Sequence, residues 1–339
     1  MLALDRLRYR DARRTTLALH GWIGLTLLAI FWPLNWLAGD GRTYWCYVPL
    51  WWGLALTIDA LCLCSRGTSL LTRDWRKYLG LAGISIPAWW MFEALNNVLA
   101  QNWYFVGGHL FTDMPLGILG TLALSALMPV MFGSAEWIAG RWANKSCGER
   151  SRTIAATHGK VGLRRLGSDR VGGLCCELQR FQPPVLRRTR LLMFAIGAIL
   201  LTFVILVPRY AYAFIWLALF LMIEPINDWR GYSSLLRWTA RGDWRPVVYI
   251  ALGGLVAGFF SELWNWQSNP KWMYDVPWFN FGHIFELPLL GYFVFLSVGL
   301  ELHAVYRLVM GLVASKDVKY VYPTCDEGVK YATIIQPSQ

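Results

Sequence analysis

Two glutamates in this chain stand in matching company. Glu93 and Glu262 each have an asparagine three residues on, Asn96 and Asn265, and a tryptophan ten residues on, Trp103 and Trp272. Two residues beyond each tryptophan comes another aromatic, Phe105 in one case and Tyr274 in the other. A carboxyl withdrawn from water favours its neutral form and can give a proton to an alkene. The resulting cation is stabilised by aromatic faces. Glu and Asn three apart on a helix share one face. Glu93 and Glu262 are therefore the candidate catalytic acids. Asn96, Asn265, Trp103, Trp272, Phe105 and Tyr274 are the candidate substrate contacts.

Each tryptophan is followed by a Gly-His pair and then by an acid placed two residues before a proline. The first copy reads Gly108-His109-Leu110-Phe111 with Asp113 before Pro115, the second Gly282-His283-Ile284-Phe285 with Glu286 before Pro288. Asp113 and Glu286 are either further substrate contacts or N-caps of the helices that the prolines open, where the helix dipole favours an anion. His109 and His283 are weak metal candidates, because no Glu-x-x-His or His-x-x-x-His pair on a helix accompanies them. No phosphate-cradling loop or dinucleotide fingerprint occurs, and no cofactor is expected.

These anchors belong to a longer run that occurs twice. Asp74-Trp75-Arg76 matches Asp243-Trp244-Arg245, and each aspartate precedes its glutamate by 19 residues. Arg66-Gly67 matches Arg230-Gly231, Asp59 lies near the counterpart of Glu224, and Arg13-Arg14-Thr15 matches Arg187-Arg188-Thr189. Hydrophobicity alone does not place Glu, Asn, His and Asp-Trp-Arg in one order twice. The pattern implies an internal duplication.

The elements that must hold these residues are membrane helices. The chain has 339 residues, 56% of them hydrophobic, only 16% charged and 20 of them Trp, and its mean hydropathy is +0.37. A soluble protein carries about 25% charged residues. Apolar runs long enough to cross a bilayer are expected at 16–37, 44–64, 78–99, 115–133, 246–265 and 288–308, with two more in 191–226 broken at Pro208-Arg209. The fold class is thus all-α, a polytopic transmembrane helical bundle of about eight helices arranged as two parallel four-helix repeats.

The net charge of +11 does not point to nucleic acid, because the basic residues fall in alternate loops. With the N-terminus inside, only Arg42, Arg209 and Lys271 of the 32 Lys and Arg lie outside. The positive-inside rule then places both termini in the cytoplasm and the protein in the inner (cytoplasmic) membrane. This topology gathers Glu93, Glu262 and the aromatic loops at the outer side. The expected divisions are a first membrane repeat at 1–140, a basic cytoplasmic linker at 141–186, a second repeat at 187–310 and a cytoplasmic tail at 311–339. The linker is too poor in apolar residues to bury a core and reads as flexible. The seven cysteines show neither disulfide nor zinc spacing. Glu136 and Glu301 are expected at inner helix ends beside water, and Asp74 and Asp243 in pairs with neighbouring arginines.

The repeat resembles that of tandem lycopene-cyclase-domain membrane proteins of carotenoid synthesis. The pieces that carry the resemblance are Ile58-Asp59 and Ile223-Glu224, Trp103-Tyr104-Phe105 and Trp272-Met273-Tyr274, and Met114-Pro115-Leu116 and Leu287-Pro288-Leu289. The family's Pro-x-Glu-Glu is replaced by Pro115-Leu116-Gly117 and Pro288-Leu289-Leu290, with the acid ahead of the proline. The resemblance implies an enzyme acting on an isoprenoid dissolved in the membrane. Acid catalysis on an isoprenoid or other lipid, in a pocket between the repeats, is accordingly the expected function. The alternative is a non-catalytic membrane protein or a transporter of a proton or small solute, with the repeated acids structural or ion-binding.

Overall fold

The computed structural model describes residues 16–37, 42–157, 186–313 and 320–321. The basic N-terminal residues, much of the expected linker and most of the tail lie outside the described residues. The chain folds into long helices: α1 (Leu19–Leu37), α2 (Tyr47–Arg66), α3 (Trp75–Leu95), α4 (Met114–Leu124), α5 (Leu127–Thr157), α6 (Leu186–Leu206), α7 (Ile215–Trp229), α8 (Arg245–Asn265) and α9 (Tyr292–Val313). Short strands join them at one end: β1 (Trp103–Val106), β2 (Lys271–Tyr274), β3 (His283–Ile284) and β4 (Leu287–Pro288).

Among the described residues, six helical stretches are long and apolar enough to cross a membrane: Tyr44–Arg66, Met114–Trp142, Arg188–Leu206, Pro208–Trp229, Arg245–Asn265 and Leu289–Val313. α1 and α3 have comparable length but fall outside that set; α1 carries His20 and Asn35, and α3 carries Arg76 and Lys77. The outward face of α6 is a band of exposed Leu191, Leu192, Ile199 and Phe203, which only a lipid solvent suits.

Helix ends follow local chemistry. Asp74 caps α3, its carboxylate accepting the N–H groups of Arg76 and Lys77. Asp243 accepts the N–H of Arg245 at the start of α8 and pairs with its guanidinium at 2.8 Å. The expected Asp–Arg pairing therefore forms at Asp243. At Asp74 the ion pair is with Lys77 instead, at 3.8 Å, while Arg76 lies over the Trp75 ring. The break between α6 and α7 falls at Pro208, as the missing proline N–H requires.

Two spans depart from their expected limits. The helix expected to stop near residue 133 bends at Ser125-Ala126 and continues as α5 to Thr157. Arg66 and Arg73 neutralise Glu136, so the start of the polar segment extends the helix. The last helix was expected to open at Pro288. Instead β3 and β4 form a small hairpin, pairing His283 with Pro288 and Ile284 with Leu287, and α9 begins only after a turn at Leu289–Gly291.

The core runs along the bundle axis through Leu50, Trp51, Met128, Met131, Phe132, Ile250 and Trp264, all 1% exposed or less. α8 packs against both α5 and α9, and α2 packs against α5. α8 and α9 cross at Gly254 and Gly299. A methyl group on Gly254 would stand 2.7 Å from the Gly299 Cα, so only glycine lets these backbones meet. Asn35 in α1 donates to the Trp264 carbonyl at 2.8 Å and ties the first helix to α8.

Candidate functional site

Each asparagine builds an arm that folds back over its own helix end. After Glu93 the chain makes a wide π-turn at Asn96–Ala100, and Gln101 adopts a left-handed φ of 50°. Asn96 holds the reversal: its Oδ1 accepts the N–H of Asn102 at 2.9 Å and of Trp103 at 3.4 Å, and its Nδ2 donates to the Trp103 carbonyl at 2.8 Å. Asn265 does the same for Trp272, accepting its N–H at 2.8 Å and donating to its carbonyl at 2.7 Å. The reversal swings each indole back onto its glutamate. Trp103 Nε1 donates to Glu93 Oε2 at 3.2 Å, and Trp272 Nε1 donates to Glu262 Oε1 at 3.1 Å.

The arms then join as an antiparallel pair, β1 against β2, with Trp103 opposite Tyr274 and Phe105 opposite Trp272. The period of two along each strand puts Trp103 and Phe105 on one face, and Trp272 and Tyr274 likewise. Tyr274 completes the second arm, its hydroxyl donating to Glu262 Oε1 at 2.6 Å. Burial, with the adjacent Glu262 adding to it, pushes the Tyr274 phenol well above its usual range, so it keeps this proton. Phe105 occupies the matching position on the first arm and has no hydroxyl to offer Glu93. Glu262 Oε1 thus serves the indole and the phenol, while Glu262 Oε2 is buried with no hydrogen-bond partner among the described residues.

Both carboxyls line one cavity of about 900 Å³ between the arms, with Trp103, Trp272, Phe105 and Tyr274 in its wall. Further aromatic faces close around it: Trp103 stacks on Trp216 at 6.4 Å and meets Tyr212 edge-on at 5.3 Å, and Tyr47 lies 5.8 Å from Trp272. Phe203, Val207, Phe214 and Leu290 also border the cavity and are exposed on the apolar flank. Tyr210, Trp278 and Phe279 also line it and are exposed, so the cavity reaches the surface at the end of the bundle that carries the arms.

The structure brings six of the expected site residues to this cavity: Glu93, Glu262, Trp103, Trp272, Phe105 and Tyr274. Asn96 and Asn265 stand behind the wall with both amide groups engaged by backbone, so they hold the tryptophans in place and do not border the cavity. Asp113 and Glu286 lie outside it and differ from each other. Asp113 caps α4 through the Leu116 N–H and pairs with Arg42 at 2.6 Å. Those bonds, the Arg42 bond foremost, hold its carboxyl below the usual carboxylate range. Glu286 caps nothing, because the hairpin replaces the expected helix start, and it pairs with Lys271 at 2.6 Å. His283 meets Asn280 at 2.8 Å in an exposed loop, and the His109 ring lies against Phe111. Among the described residues, no group of three or more His, Cys, Asp or Glu stands together as a metal site.

Sequence reasoning missed Tyr212 and Trp216, which reach the cavity from the turn between α6 and α7 and from the first turn of α7. The signal was present: a helix broken at Pro208 must place the next residues at the level of the strand arms. It also misplaced Glu136 and Glu301, both 0% exposed and not beside water. Asp59 and Glu224 prove to be anchors, accepting the N–H groups of Leu71 at 2.9 Å and Leu236 at 3.2 Å and so holding the short helices Leu70–Arg73 and Leu235–Thr239.

No family model matches the chain, and neither the curated proteins nor the solved structures compared with it give a match.

Proposed function

We propose that this integral membrane protein is an enzyme that protonates an isoprenoid or similar unsaturated lipid inside the cavity between its two arms, with Glu262 as the principal acid and Glu93 beside it. The observation that carries this reading is the geometry of Glu262. Among the described residues, one oxygen accepts two hydrogen bonds and the other has none, at the wall of an apolar cavity faced with aromatic rings. In the acid form the proton belongs on the oxygen that is not already accepting, Oε2. Transfer breaks the Oε2–H bond and forms a C–H bond at one alkene carbon, leaving a carbocation at the other. The faces of Trp103, Trp272 and Trp216 stabilise that charge. Return of a proton from an adjacent carbon to Glu262 restores the acid, so the net change is an isomerisation or ring closure with no co-reactant.

The exposed apolar rim of the cavity, Phe203, Phe214 and Leu290 among it, fits a substrate drawn from the bilayer. The matched arms fit a duplicated chain of eight membrane helices, two parallel repeats with both termini in the cytoplasm and the arms at the outer side of the inner membrane. In that topology the three outer cations each face an acid: Arg42 with Asp113, Arg209 with Asp275 and Lys271 with Glu286. A distant kinship with the lycopene-cyclase-domain proteins is part of the same proposal.

Mass spectrometry of an organic extract of the detergent-purified protein tests this, with wild type beside the Glu93→Gln/Glu262→Gln double variant. Enrichment of a polyprenoid over bulk membrane lipid, altered in amount or mass by the double variant, is the expected result. Ordinary phospholipids, identical in the two samples, would turn the reading toward a structural or transport role.

A further inference from the structure

Besides the cavity acids and the backbone anchors Asp59 and Glu224, the long helices bury Asp228, Glu136 and Glu301; the first two are paired with arginines, and the surroundings of Glu136 and Glu301 are opposite. Glu136 in α5 is gripped by two cations: Arg73 at 2.8 Å and Arg66 at 3.5 Å, with a second Arg73 bond at 3.2 Å. Such a group is a structural ion pair. Glu301 lies midway along α9 and is 0% exposed. Among the described residues, neither of its oxygens has a hydrogen-bond partner.

The charged groups on the elements packed around α9 are engaged elsewhere. On α7, Glu224 accepts Leu236 N–H, and Asp228 pairs with Arg190 and Arg237. On α8 and α3, Glu262 and Glu93 hold their indoles. On α9 itself, Arg307 donates to His303 at 3.2 Å and to the Val321 carbonyl at 3.1 Å. His303 is two residues from Glu301 and so points to a different side of the helix. Its ring packs against Phe132. A carboxylate at Glu301 would be a bare charge in an apolar interior, and an intramembrane acid of that kind marks a functional site.

The chain on either side of Glu301 ties it to the cavity: Val298 and Leu302, three residues before it and one after, form part of the cavity wall. We propose that Glu301 is a second acid site of the bundle, a neutral carboxyl that binds an exchangeable proton behind the cavity wall. The ligand is the proton itself. This inference rests on the surroundings of Glu301 and does not require that the cavity acids act on a lipid.

A hydrophobic carbodiimide, dicyclohexylcarbodiimide, adds to neutral carboxyls in apolar surroundings and leaves ion-paired carboxylates alone. The full-length protein in membranes is treated at neutral pH and mapped by peptide mass spectrometry. The expected result is an adduct at Glu301, none at Glu136, and loss of the Glu301 adduct in Glu301→Gln. No adduct at Glu301, or equal labelling of Glu136, would overturn the proposal. Infrared spectroscopy gives a second readout that needs no reagent. One component of the neutral-carboxyl C=O absorption should shift in heavy water and be lost in Glu301→Gln, with the variant still eluting as a single species. A band that neither shifts nor depends on Glu301 would also overturn it. Neither readout needs turnover, so failure here is distinct from failure of the acid-catalysis reading.

Discussion

The two arms share one asparagine clasp over different turns, a π-turn with left-handed Gln101 in the first and a turn through Asn269-Pro270 in the second, and their acids differ by one hydroxyl. Asn96 and Asn265 fold Trp103 and Trp272 back in the same way, and each indole donates to its glutamate. The second arm adds the Tyr274 hydroxyl where the first has Phe105. Glu93 therefore has one side-chain donor and Glu262 has two. The extra donor fixes which Glu262 oxygen accepts, Oε1, and leaves Oε2 buried without a partner among the described residues. The difference teaches that the asparagine and tryptophan make the arm, while the residue two positions after the tryptophan sets the hydrogen bonding of the acid.

The largest effect should come from removing the shared part. Asn265→Ala strips partners from the Trp272 N–H and carbonyl, and an unsatisfied buried polar group costs about 1–3 kcal/mol. We expect a loss of roughly 3 kcal/mol, read as a lowered thermal midpoint in detergent, and a similar loss for Asn96→Ala. If one substitution were neutral, the arms would not be equivalent in construction.

Exchanging the differing residue should have a smaller and directional effect. Tyr274→Phe removes one hydrogen bond to Glu262, a loss of about 1–2 kcal/mol, and makes the second arm resemble the first. Phe105→Tyr offers Glu93 a second donor. On the proposed mechanism, activity should fall in Tyr274→Phe and part of the deficit should return when Phe105→Tyr is added. Identical activity in wild type and Tyr274→Phe would show that the second donor has no role in setting the acid.

The smallest effects belong to the rim acids. Asp113 both caps α4 and binds Arg42, whereas Glu286 only pairs with Lys271. Asp113→Asn should loosen the start of α4, measured as faster amide exchange at Leu116, and Glu286→Gln should leave the start of α9 unchanged. Because Arg42 and the Leu116 N–H lower the Asp113 carboxyl, its contribution is full above the ordinary aspartate range and is lost as pH falls through the folded value. The exchange difference between wild type and Asp113→Asn should therefore shrink in acid. A difference that grew in acid would contradict this assignment.

Much of this was legible in the chain, for identifiable reasons. Pro208 marks a helix limit through its missing N–H, which acts locally, and the start of α8 at Arg245 falls one residue before the expected Pro246. The cap at Asp74 went unread: α3 starts at Trp75, three residues before its expected start. The shared spacing from Glu93 to Trp103 and from Glu262 to Trp272 matches the shared placement of each indole on its glutamate, although the turns between them differ. The β1–β2 pair was not legible. Four residues carry little periodicity, and Trp103 meets Tyr274 only once distant helices have packed. The hairpin at His283–Pro288 hid behind a proline that reads as a helix start. Burial of Glu136 and Glu301 was also invisible, since proximity to a helix end does not reveal which neighbours close over it.

The most direct test of the central claim is proton transfer to lipid by Glu262. The purified protein is reconstituted in vesicles made from the lipid extract of its own source membranes, in heavy water, and the isoprenoid fraction is recovered and weighed by mass spectrometry. The account predicts deuterium gained on carbon with wild type, less with Glu93→Gln and none with Glu262→Gln. Equal incorporation with wild type and Glu262→Gln, or none with either, would contradict it.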